Sequence, residues 1–179
     1  METRKGNIIV GTAGGTAGKN AKTYKVSLPT PWLMQMGINE TEKEVILSFD
    51  GHRITLQKHM DLAGFLQDRL AQGHRLKMIS YYNGDTLCTQ ICADFTDRQI
   101  AIRNEDVPNQ HRAFGANDTP SWDDLTDFLE ERCIPRQRDG LRHYLDALGL
   151  DAYDPFEIVL RTGGRIAEDH QWLKVEDPV

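Results

Sequence analysis

Three punctuation marks between Tyr24 and Lys58 (YKVSLPTPWLMQMGINETEKEVILSFDGHRITLQK) dictate where the chain must turn: Leu28-Pro29, Gly37 and Asp50-Gly51. Proline removes a ladder donor, and glycine admits the left-handed backbone that turns and helix ends require. Tyr24 to Leu28 alternates apolar and polar with period two, so it reads as a strand half-buried on one face. Thr30 is placed to cap a short helix, Pro31 to Met36, with Pro31 in its first turn and Gly37 at its C-terminal cap. Val45, Leu47 and Phe49 alternate with polar neighbours up to Asp50-Gly51, and Ile54 and Leu56 resume the pattern beyond it. That arrangement predicts a tight type I′ hairpin. Asn7 to Val10 is a further β-branched run and supplies another strand. Four strands and one helix in about fifty residues make a small core, which favours dimerisation or support from elsewhere in the chain.

This order of strand, Leu28-Pro29, short helix, Met36-Gly37-Ile38, acidic loop Asn39 to Glu44, strand, Asp50-Gly51 and strand resembles the AbrB/MazE/SpoVT family of swapped-hairpin DNA-binding domains. The resemblance spans roughly residues 7–58. It implies a small swapped-hairpin β-barrel head over 1–58 and an intertwined homodimer whose N-terminal loops and strands touch DNA, as in transcriptional regulators and in antitoxins that repress their own operons. Members usually carry arginines on the strand before the proline and on the short helix, whereas Trp32-Leu33-Met34-Gln35-Met36 has no basic residue. Phosphate contact therefore falls to Arg4, Lys5, Lys19, Lys22 and Lys25, with Asn20 and Thr23 as hydrogen-bond donors to phosphate or base edges.

The glycine-rich run Gly11 to Asn20 comes close to a phosphate-loop pattern, but Ala13 stands in place of the first glycine and Asn20 in place of the magnesium-binding Ser/Thr. A phosphate loop also runs straight into a helix whose N-terminus meets the anion, and here Ala21 leads into a strand. A flexible linker between two strands is the better use of these glycines.

Charge is distributed unevenly along the 179 residues, whose net charge is −6. Residues 1–58 hold eight Lys/Arg against five Asp/Glu, residues 59–118 six against eight, and residues 119–179 seven against fourteen. A basic head on an acidic body lets the head meet phosphate while the rest repels it. No run approaches the length of a membrane span and the N-terminus lacks the apolar core of a signal peptide, so a folded soluble protein of the cytoplasm, with no membrane partner, is expected. Cys88, Cys92 and Cys133 are odd in number and too few for a disulfide scaffold; they read as buried thiols.

The fold class expected is α+β, with the head followed by a second domain over 59–179. In that domain Leu62, Phe65, Leu66 and Leu70 form the apolar stripe of a helix. Leu76 to Tyr82, Leu87 to Phe95 and Gln99 to Arg103 form a three-stranded meander with a hairpin at Asn83-Gly84. Cys88 and Cys92, four apart on one strand, are expected to share a face. Asn104 to Asp118 reads as a polar loop anchored by Phe114. The segment 119–179 reads as helical: one helix capped at Thr119 with Trp122, Leu125, Phe128 and Leu129 inward, a second through Leu141 to Leu148 ending at Gly149, and a third over Phe156 to Leu160 behind an Asp154/Glu157 capping box. Arg132, Arg136, Arg138, Arg142, Arg161 and Arg165, interleaved with acids, are expected to form internal ion pairs.

These readings favour a homodimeric DNA-binding transcriptional regulator or antitoxin-like protein, with duplex DNA and a second copy as partners and a possible protein partner at the acidic segment. The alternative is an acidic protein-interaction module that inhibits a nucleic-acid-binding protein without touching DNA. A metal-dependent phosphate-ester enzyme would draw on Glu130, Glu131, Asp139, Glu168, Asp169 and His170, whose spacing is not diagnostic. No enzyme activity, metal or cofactor is expected.

Overall fold

The computed structural model describes residues 2–12 and 21–178. It is a mixed α+β structure in two units, Met1–His59 and Met60–Val179.

The described residues of unit 1 form two antiparallel hairpins and one helix. Strands β1 (Ile8–Thr12) and β2 (Lys22–Val26) pair with Ile8 opposite Val26, and β3 (Val45–Phe49) and β4 (Ile54–Lys58) pair with Phe49 opposite Ile54. The hairpins form two separate two-stranded sheets, so the closed barrel expected of the head is not formed. The ladders share no hydrogen bonds, and four short strands in this pairing leave every outer edge open. Helix α1 spans Thr30–Gln35 with Pro29 at its N-cap and no side-chain cap bond, so Thr30 is the first helical residue and does not cap it. Gly37, at φ +67°, ends it in the left-handed region as its position predicts.

The turn at Asp50-Gly51 differs from expectation. Strand β3 stops at Phe49 and β4 starts at Ile54, so the loop is four residues long. Only Gly51 in it has positive φ, whereas a type I′ turn needs two such residues. Instead Asp50 Oδ1 accepts from the N–H groups of His52 (2.9 Å) and Arg53 (2.8 Å), an Asx turn that offers the backbone another closure.

Unit 2 is built on a four-stranded antiparallel sheet of order β7-β6-β5-β8, from β5 (Leu76–Asn83), β6 (Thr86–Asp94), β7 (Gln99–Asn104) and β8 (Gln171–Glu176). The meander is as expected; β8 is not, because 119–179 was read as helical throughout. It pairs with β5, Met78 opposite Glu176 and Asn83 opposite Gln171. One face of the sheet carries Leu76 and Cys92 against Leu62 and Phe65 of α2 (Leu62–Ala71), which is capped by Asp61. Leu70 of that helix is exposed, so the inward stripe is shorter than its spacing suggests. The other face carries Ile79, Ile91 and Leu173 against α3 (Trp122–Glu131), α4 (Leu141–Leu148) and α5 (Pro155–Thr162).

Local chemistry accounts for the helix bounds. Ser121, and not Thr119, caps α3: its Oγ accepts from Asp124 N, and the Asp124 carboxylate accepts from Ser121 N in return. At α5, Asp154 Oδ1 accepts from Phe156 N and Glu157 N, while the Glu157 carboxylate turns to Arg161, leaving half of the expected capping box. Gly149 and Gly163 close α4 and α5 in the left-handed region. Phe114 anchors its loop against Phe128, with ring centroids 5.4 Å apart.

Cys88 and Cys92 lie on opposite faces of β6. The register shifts at Tyr81/Tyr82, where Thr89 faces Tyr81 and Leu87 faces Tyr82, so Cys88 is the extra residue of a bulge. It joins the core under α3, while Cys92 packs under α2. All three thiols are buried and free. Burial pushes Cys92 and Cys133 up to about 11.

Candidate functional site

The hairpin β1–β2 sorts the expected DNA-contacting residues by face. Residues directly opposite in an antiparallel pair share a face, so Ile8, Val26, Val10 and Tyr24 line one side together with Thr12 and Lys22. Ile9, Lys25, Gly11 and Thr23 line the other. Lys25 and Thr23 are therefore brought together on a mostly polar face, and Lys22 is separated from them at the end of the apolar one. Arg4 and Lys5 precede β1 in exposed irregular chain. Lys19 and Asn20 lie outside the described residues, as does most of the glycine-rich run.

The apolar sides of both hairpins face outward. Phe49 and Ile54 are each 70% exposed, Tyr24 is 68% exposed and Ile8 67%. Leu47, between Val45 and Phe49 on the same face of β3–β4, is exposed too. Among the described residues of unit 1 none is buried. A contiguous apolar surface of this kind marks a place where another surface belongs.

In unit 2 the polar clusters are structural. Among the described residues, the one group of three side chains with metal-ligating atoms within 4.8 Å of one another is His74, Asp94 and Asp97. Asp94 is fully buried and its carboxylate is already engaged. His74 Nδ1 lies 2.7 Å from Oδ2, Thr96 N and Asp97 N donate to Oδ1, and Arg69 Nε is 3.7 Å away. Burial pushes the Asp94 carboxyl up, but these hydrogen bonds outweigh it and hold the group below its ordinary value. A neighbouring guanidinium and filled lone pairs make this a lock on the β6–β7 turn, where Arg98 adopts φ +53°.

The run Asp169-His170-Gln171-Trp172, suggestive of acid–base chemistry in sequence, is likewise a clamp. Arg132, 6% exposed, donates to both Asp169 oxygens (2.6 and 3.0 Å), to Gln171 O (3.0 Å) and, through Nε, to Gly164 O (3.0 Å). These bonds hold Asp169 below its ordinary carboxylate value against the opposing effect of burial. Trp172 stacks on Tyr82 at 4.4 Å and donates to Gly84 O at 2.8 Å, docking β8 to the Asn83-Gly84 turn. Arg136, Arg142 and Arg161 pair with Glu130, Asp146 and Glu157 as anticipated, and Arg165 stacks on Trp172.

One feature of unit 2 was missed in the sequence. A cleft of about 560 Å³ opens between α3, α5 and the end of β5, walled by Trp122, Leu125, Phe156 and Leu160 and edged by Arg75 and Lys77. The Phe95 ring meets Trp122 and Phe156 edge-on at 5.1 and 4.7 Å. An aromatic directly after a strand and another at a helix start are its sequence signals, but the spacing alone reads them as core. Among the described residues no helix is long and apolar enough to cross a membrane. The chain matches no family model, no curated protein and no solved structure.

Proposed function

We propose that unit 1 is a swapped-hairpin, AbrB-like head that completes itself with a second copy, and that the protein is a homodimeric DNA-binding regulator or antitoxin-like repressor. The observation that carries this reading is the absence of any buried residue among the described part of unit 1, although its hairpins expose Ile8, Tyr24, Phe49 and Ile54. A two-stranded hairpin on its own is marginal in water, and two identical copies can bury four such faces at once. Dimerisation also doubles the basic N-terminal segment, in which residues 1–28 carry Arg4, Lys5, Lys19, Lys22 and Lys25 against Glu2 alone. The polar face holding Lys25 and Thr23 is the side of β1–β2 left to meet a duplex once the apolar side is covered.

Light scattering combined with fluorescence anisotropy tests this on the full chain. The expected result is a dimer that binds the duplex upstream of its own coding sequence, with log affinity falling against log salt by about 0.9 per phosphate neutralised. Lys25→Glu should lower both the affinity and that slope while the dimer persists. A monomer, or a dimer that ignores duplex at low salt, overturns it. The second outcome would leave the protein-interaction reading, favoured by the fourteen carboxylates of residues 119–179.

A further inference from the structure

The cleft of unit 2 is edged by a cation without a carboxylate partner among the described residues. Its walls are apolar and aromatic, from Trp122 and Leu125 on α3 and Phe156 and Leu160 on α5, and its volume of about 560 Å³ suits a small organic molecule. Four charged side chains reach its edge, and three have partners. Asp154 Oδ1 is engaged by the N–H groups of Phe156 and Glu157 that open α5. The Glu157 carboxylate is held by Arg161 at 2.6 Å. Lys77 reaches Asp177 at 2.7 Å, a carboxylate 82% exposed and readily exchanged for another. The fourth, Arg75, lies over the Phe95 ring, 5.1 Å from its centroid. Among the described residues its guanidinium has no carboxylate partner. A cation–π contact of this kind leaves the guanidinium N–H groups available for an anion.

We propose that this cleft binds a small aromatic carboxylate, with the ring system between α3 and α5 and the carboxylate on Arg75, with Lys77 beside it. A cationic ligand is disfavoured, since Glu157 is already paired with Arg161, Asp154 accepts two backbone N–H groups, and Arg75 occupies the face of Phe95 that a cation would use. The ligand's flat body would replace water on an aromatic wall, and its charge would pair with Arg75. The inference rests on unit 2 alone and is independent of DNA binding by the head.

The test is a titration of the full chain with 2-naphthoate, 2-naphthalenemethanol and 2-naphthylmethylammonium, followed by the indole N–H resonances of Trp32, Trp122 and Trp172. The expected result is a saturable shift of the Trp122 resonance with 2-naphthoate while Trp32 and Trp172 stay still, and weaker binding of the neutral and cationic analogues. Arg75→Gln, at an exposed position, should weaken 2-naphthoate about tenfold, the scale of one charge-assisted contact, and leave the alcohol unchanged. Absence of a saturable Trp122 shift up to about 10 mM, beyond the weak end of useful affinity, overturns the proposal. So does tighter binding of the ammonium analogue, or indifference of the naphthoate to Arg75→Gln.

Discussion

Unit 2 buries Ile79, Ile91, Leu125, Ile158 and Val159 completely, while unit 1, also with apolar hairpins, has no buried residue among those described, and Val45 and Leu56 are only partly covered. The contrast comes from layering. Unit 2 has helices against both faces of its sheet, so every inward position of β5 and β6 meets a partner. Unit 1 has two sheets of two strands and one short helix, and Phe49, Ile54, Tyr24 and Ile8 look outward. A sequence can therefore carry the alternation of a half-buried strand in both places, yet only in unit 2 does this chain supply the covering surface.

The largest expected effect would come from attacking that difference directly. Phe49→Asp with Ile54→Asp puts two carboxylates on the uncovered face of β3–β4. The variant should be a monomer by light scattering, with amides of 45–58 exchanging as in an unfolded chain while β5 and β6 stay protected. A variant that remains dimeric would break the comparison, because the head would then have some other means of burial. Next, Arg132→Met should lower the stability of unit 2 by about 3 kcal/mol in urea unfolding, since it strands Asp169 and two backbone carbonyls. The oligomeric state should be unchanged.

Gly164→Ala should cost unit 2 about 2 kcal/mol by the same measurement. Gly164 sits at φ +58°, and an added Cβ would come 2.5 Å from Leu173 Cδ1 and 3.2 Å from Arg132 Cβ. The effect of acid on unit 2 should be smaller. Asp94 and Asp169 have folded values below the ordinary one near about 3.9, so their contribution is complete above that pH and lost as pH falls through the lower folded values. Urea midpoints should fall between pH 5 and strongly acid solution by the equivalent of about 1 kcal/mol, and Asp94→Asn should flatten that fall. Smallest of all, Arg98→Gly should raise the stability of unit 2 by about 0.5 kcal/mol in urea unfolding, relieving the left-handed residue of the β6–β7 turn.

Elements marked by their own periodicity, caps and turns were legible in the sequence: α2, α4 and α5, the meander, and the left-handed glycines at 37 and 149. Strand β8 was not, because its partner β5 lies far away in sequence and Trp172-Leu173-Lys174-Val175 places apolar side chains on both faces. The bulge that turns Cys88 away from Cys92 is set by the length mismatch between paired strands, which no local pattern records. The same limit governed the candidate DNA contacts. Lys22 and Lys25 look alike as loop-flanking lysines, and only the register of β1 against β2 puts them on opposite faces. The cleft was hidden for a related reason, since Arg75, Phe95, Trp122 and Phe156 come from four separate segments.

The pairing of β8 with β5 also sets an order of events during synthesis. Hydrogen bonds between Met78 and Glu176 close a loop that encloses the meander and all three helices of one face, so this edge of the sheet forms only after most of unit 2 has left the ribosome. The hairpins of unit 1 need only local closure and emerge first. The pace of β8 docking, rather than of hairpin closure, would therefore limit how soon a finished chain appears.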